Sequence, residues 1–176
     1  VTLTDEPQNL AEGISGPLDL SDADTSGFDP IPSATYKMEI VEGKEDKVKG
    51  EDGALPKGWP CLNVQFRVPE DADEYANRRV FNRYYPVVPE GHDPDKAKKL
   101  KGMFLSFLIA AGYDEEELRS GSWEFDPDDL PGRELFVTVR YVPANDEKGW
   151  AAQNRVTGVK SLAAGMATAG EGAGLL

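Results

Sequence analysis

Hydrophobic and polar positions alternate along three early stretches of the chain, each with the period of two that gives a strand one apolar face. In "TYKMEIVE", Tyr36, Met38 and Ile40 oppose Lys37, Glu39 and, at the end, Glu42, and the preceding "IPSA" opens the strand. The polar stretch "EGKEDKVKGEDGALPKG" reads as a loop. "CLNVQFRV" then sets Leu62, Val64, Phe66 and Val68 against Asn63, Gln65 and Arg67, the sharpest alternation in the chain. In "RRVFNRYYPV" the third strand puts Val80, Asn82 and Tyr84 on one face and Arg79, Phe81, Arg83 and Tyr85 on the other, so both faces are mixed.

The period then changes. Asp93 is placed to cap a helix with Pro94 at its first position. Leu100, Met103, Phe104, Phe107, Leu108 and Ala111 follow at helical spacing as a core-facing stripe that Gly112 can end. A short acidic turn or helix, "DEEELRSG", and the loop "SWEFDPDDLPGR" lead to a fourth strand, "ELFVTVRYV". "PANDEKG" turns the chain into a fifth, "WAAQNRVTGV". Three strands, a helix and two strands is the order of an OB-like five-stranded barrel, so the expected class is mainly β with one helix between strands three and four. Residues 1–30, rich in Asp, Ser, Gly and Pro, read as an acidic extended arm. Residues 31–161 read as the barrel domain and 162–176 as a Gly/Ala-rich tail, both arms being flexible.

Composition sharpens this picture at a few points. A chain of 176 residues suits one domain with tails. No apolar run reaches membrane-spanning length, and "VTLTDEPQNL" lacks the basic and apolar regions of a secretory signal, so neither a membrane partner nor that export route is expected. The lone cysteine, Cys61, lies in an apolar run and reads as core packing. The net charge of −13 is unevenly spread: residues 1–35 hold seven carboxylates and no Lys or Arg. Positive charge bunches at Arg78, Arg79 and Arg83, and again at Lys96, Lys98, Lys99 and Lys101. Screening limits distant charges to roughly 10 Å at moderate salt, so a local basic stripe can still hold phosphates.

Catalytic apparatus is not visible. His92, the single histidine, lies in a Gly-His-Asp-Pro turn and reads as solvated, and with Cys61 it makes no convincing nucleophile pair. No phosphate-cradling glycine loop occurs. "DADTSG", Asp22 to Gly27, begins like a calcium loop, but its twelfth position is Ser33, and a capped turn accounts for it. "PDD", Pro127 to Asp129, has no Glu-x-Lys strand after it and supports no nuclease site. No metal and no cofactor is implied. The basic and aromatic residues differ in kind, because single strands need cations along the backbone and flat rings for unpaired bases. Arg79, Phe81, Arg83 and Tyr85 offer both on one strand face, Arg67 and Arg140 extend the stripe from strands two and four, and Trp150 and Arg155 add to it from strand five. An opposing reading, with Phe81 and Tyr85 in the core and the arginines paired to carboxylates, fits the composition as well.

Order and wording favour the first reading. "GFDPIPSATYKMEIVEGKEDKVKG", "LNVQFRVPEDADEYANRRVFNRYY", "LSFLIAAGY", "LPGRELFVTVRYV" and "NRVTGV" resemble, block by block, a family of small bacteriophage proteins regarded as OB-like single-stranded-DNA-binding replication and recombination factors. The resemblance spans about residues 27–160 and rests mostly on structural positions. It implies a non-enzymatic protein of the host cytoplasm, partnered by single-stranded DNA, phage replication proteins and further copies of itself. Two departures stand out. The acid sits at the front rather than in a C-terminal tail, so deleting residues 1–30 is expected to tighten DNA binding at low salt, and "VVPEGHDPDKAKK" extends the loop before the helix. The rival reading is a virion protein, a head-decoration or minor capsid subunit seated on the major capsid protein, which the acidic surface and long tails also fit. A small acidic DNA mimic fits the charge but not the arginines.

Overall fold

The computed structural model describes residues 17–23, 29–49 and 55–164. Five strands, β1 (Ala34–Lys47), β2 (Pro60–Arg67), β3 (Arg79–Tyr84), β4 (Glu134–Val142) and β5 (Gln153–Lys160), form one antiparallel sheet in the order β3-β2-β1-β4-β5. Helices α1 (Pro94–Ala110) and α2 (Glu115–Arg119) intervene between β3 and β4. The protein is therefore mainly β with few helices. The sheet is open: among the described residues no ladder joins β3 to β5. Also among them, no helix is long and apolar enough to cross a membrane.

Alternation explains the core. Met38 and Ile40 of β1, Leu62, Val64 and Phe66 of β2, Val80 and Tyr84 of β3, and Leu135, Val137 and Val139 of β4 all face inward and are buried. Helix α1 closes that face: Phe107 stacks on Tyr84 at 4.5 Å between ring centroids and meets Phe66 edge-on at 6.0 Å. Asp93 caps the helix by accepting from the Asp95 and Lys96 amides at 2.9 and 3.3 Å. At its other end Gly112, with φ near +100°, lets the Gly112 and Tyr113 amides donate back to Ile109 and Leu108. Arg133 fastens that end to the start of β4, donating to the Ala111 carbonyl at 3.2 Å and the Asp129 carboxylate at 2.9 Å while covering the Tyr113 ring.

Strand β1 runs five residues beyond the alternation that predicts it, so "GKEDK" is strand rather than loop. A bulge between Ile40 and Glu42 shifts the register and turns Glu42 and Lys44 outward beside Gln65 and Asn63 of β2. Gly43 is needed within this segment, since a Cβ there would lie 2.6 Å from Cδ1 of the buried Leu130. Two further expectations change. Met103 is 47% exposed rather than part of the core stripe. His92 does not stand wholly in solvent: its Nε2 is buried with no hydrogen-bond partner among the described residues. Cys61 is buried as expected, in a small cluster with Val48 and Leu55, and burial pushes its thiol pKa up. Most of both arms, and all but the start of "DADTSG", lie outside the described residues.

The beginning of the domain is held by a side chain that imitates a strand. Asn154 of β5 accepts from the Ile31 amide and donates to the Ile31 carbonyl, both at 2.8 Å, with the Ile31 side chain fully buried. Asn154→Ala would orphan both backbone groups, at about 1–3 kcal/mol for a buried unsatisfied group. Urea unfolding should show that loss as a lower midpoint with an unchanged slope.

Candidate nucleic-acid interface

The outer face of β1–β2–β3 carries the sheet's polar side chains in register. Asn63 lies opposite Arg83, Gln65 opposite Phe81, and Arg67 opposite Arg79. Because these residues alternate with buried ones, the strand period itself delivers arginine, ring and arginine to one surface. Phe81 is 51% exposed there, which excludes it from the core. Tyr85 is half-buried and packs against the Cys61 cluster, so the two rings divide between the competing expectations.

Beside this face lies an open cleft of about 910 Å³, walled by β2 and β3 on one side and by the start of β5 on the other. Phe81, Arg83, Tyr85 and Arg155 all line it, four of the eight residues expected from sequence. Lys44, Asn63, Gln65 and Gln153 line it too, with Glu42 as the one carboxylate among the described residues. A second shallow groove, formed by Gly149–Gln153 and Arg155, adjoins it through the shared Gln153 and Arg155 and brings in Trp150. Trp150 does not belong to strand five. It sits on the β4–β5 loop, paired to Asn145 by two backbone hydrogen bonds, 57% exposed, with the Lys148 ammonium 4.8 Å from its ring centroid.

The arginines are held differently, and the difference decides what each can do. Arg83 donates through Nε to Asn63 Oδ1 at 2.9 Å, and Asn63 donates to Asp46 at 2.9 Å. The Asp46 carboxyl is held below the usual carboxylate range, first by the Lys47 amide and further by Asn63 and by the charges of Lys49 and Arg83. This relay orients the guanidinium while its two Nη groups keep no partner among the described residues. Arg79 faces the Gln65 side-chain amide, and with that amide turned over its oxygen accepts from Nη1 at 2.9 Å and from Nε at 3.3 Å. Arg67 is spent: Glu39 of β1 takes both its Nε and Nη2, and it does not line the cleft. Arg78 closes on Asp29, 3.4 Å from its carboxylate. Arg140 stands across from Arg155 in the β4–β5 register, exposed and outside the cleft.

Lys44, Asn63, Gln65 and Gln153 escape sequence reasoning because isolated polar residues on a strand look like any solvated face. Their one signal is position: Asn63 and Gln65 fall in the same alternation as Arg67, and register turns that alternation toward β3. No protein-family model matches the chain, and no curated protein matches it significantly.

Proposed function

We propose that the protein binds single-stranded DNA in this cleft, without catalysis, as an OB-type module of the kind used in phage replication and recombination. The carrying observation is the pairing of the Asp46–Asn63–Arg83 relay with the half-exposed Phe81 ring in one cleft. A pre-oriented cation meets a phosphate at little entropic cost, and a ring beside it can stack an unpaired base. The strand order and the helix after β3 fit an OB barrel whose β3–β5 seam is open, and OB proteins place nucleic acid on strands two and three and on the loop that here carries Trp150. Lys44, Arg83 and Arg155 supply the local positive field that a −13 chain needs for this task. The proposed setting is the host cytoplasm, with phage replication proteins as further partners.

Fluorescence anisotropy of a labelled oligo-dT over a salt series tests the reading. Affinity should fall as salt rises, with a slope near −0.7 per phosphate neutralised. Arg83→Ala should flatten that slope by about one phosphate's share, whereas Arg67→Ala, whose cation is committed to Glu39, should leave it unchanged. Absence of binding at low salt, in the full chain and after removal of residues 1–28, would overturn the proposal and favour the virion reading. That truncation keeps Asp29 on Arg78 and Ile31 in the core.

A further inference from the structure

The far edge of β5 borders a second groove, of about 440 Å³, that the DNA reading does not use. It runs between β5 and α1, with the edge of β3 behind it, and its lining is mostly apolar. Two glycines open it. Gly102 lies inside α1 and Gly158 inside β5, and a Cβ built on either would meet no atom of the described residues within 4 Å. Glycine weakens both a helix and a strand interior, so neither packing nor backbone strain within one copy calls for it at these two positions. What a glycine pair with open space above it does permit is the close approach of another backbone. Beside them, Val156 and Val159 offer apolar side chains and Met103 stands 47% exposed. Among the described residues the β5 backbone is hydrogen-bonded to β4 on one side alone, and its other side faces the groove.

The chain contains a segment with the complementary character. Pro17–Leu20 belongs to no helix or strand and leads into a turn closed by the Ala23 amide on the Leu20 carbonyl at 3.0 Å. Leu18 and Leu20 are 67% and 69% exposed and, being two residues apart, come to one face when the segment is drawn out as a strand. Asp19 and Asp22 accompany them, in a stretch where residues 1–36 contain no Lys or Arg. The groove has the opposite sign: Lys99 lines it, and Lys96 precedes it by one turn on the same face of α1, neither in an ion pair among the described residues. We propose that the groove between α1 and β5 receives Leu18–Asp19–Leu20 from a second copy, its leucines over Gly102 and Gly158 and its carboxylates toward Lys99 and Lys96. The association is head-to-tail, because segment and groove are different surfaces. It stands on observations separate from the DNA cleft.

Sedimentation velocity of the full chain across a concentration series, at low and high salt and without DNA, tests this. Self-association is expected, weakening as salt rises. Leu18→Asp with Leu20→Asp should reduce it by more than about tenfold, from the loss of two buried leucines. These side chains are exposed in the single copy, so the fold is not at risk. Gly102→Leu with Gly158→Val should abolish association without lowering the melting temperature, since both sites have room. Mixing the segment variant with the groove variant should restore a single pairing and give a one-to-one heterodimer that stops there. A monomer at every concentration would overturn the proposal, and so would association that survives in the segment variant.

Discussion

Phe81→Ala combined with Arg83→Ala is expected to weaken oligo-dT binding by about 100-fold at low salt. A stacked base is worth about 1–3 kcal/mol, and each 1.4 kcal/mol is a factor of ten, so the ring alone accounts for one decade or more. The arginine adds a phosphate contact that the Asn63–Asp46 relay has already oriented, and its removal lowers the salt slope as well. Both side chains are exposed, so the double variant should unfold at nearly the same temperature as the parent. Affinity and stability therefore separate. A variant that loses no affinity would move the contact surface off the β2–β3 face, and one that unfolds early would show Phe81 to be packing after all.

The second large effect is on the core. Phe107→Ala should cost about 3–5 kcal/mol, the usual range for deleting a buried aromatic side chain. Phe107 is fully buried, stacks on Tyr84, meets Phe66 edge-on and touches Phe104, so its removal leaves a void bounded by β2, β3 and α1. A domain with 5–15 kcal/mol of stability would lose a large part of it. Urea unfolding followed by circular dichroism measures the loss. A cost below about 1 kcal/mol would mean that α1 does not pack across the sheet as described.

Much of this architecture is legible in the sequence because strand period and burial agree. The fourth strand, "ELFVTVRYV", matches β4 residue for residue, and the third has its two faces as expected, with Val80 and Tyr84 inside and Phe81 outside. Legibility fails where one residue breaks the period. The bulge between Ile40 and Glu42 shifts the phase of β1, and the rest of that strand exposes polar residues on both faces, so it resembles a loop. Trp150 reads as a strand residue because an aromatic after a turn is a common strand start, whereas its two hydrogen bonds to Asn145 keep it on the loop. Met103 keeps helical spacing but stands over the groove that Gly102 opens, where spacing alone carries no information.

The candidate site is half legible for a related reason. Which residues are cations and rings can be read from sequence; which cations are already committed cannot. Arg67 and Arg83 look alike on their strands, yet one meets a carboxylate on β1 and the other an amide on β2. That distinction comes from cross-strand register, which alternation does not encode.

The position of β1 at the centre of the sheet also sets the order in which the protein can be made. Its first partner, β2, comes at once, but its second is distant: the Thr35 and Thr138 hydroxyls that meet across β1 and β4 are 103 residues apart. Pairings so far apart fold slowly, since a long loop must close before they contribute. At a synthesis rate of about 5–20 residues per second, a nascent chain carries β1 with one open edge for roughly 5–20 s before β4 exists. The ribosome thus presents the central strand well before the strand that completes it.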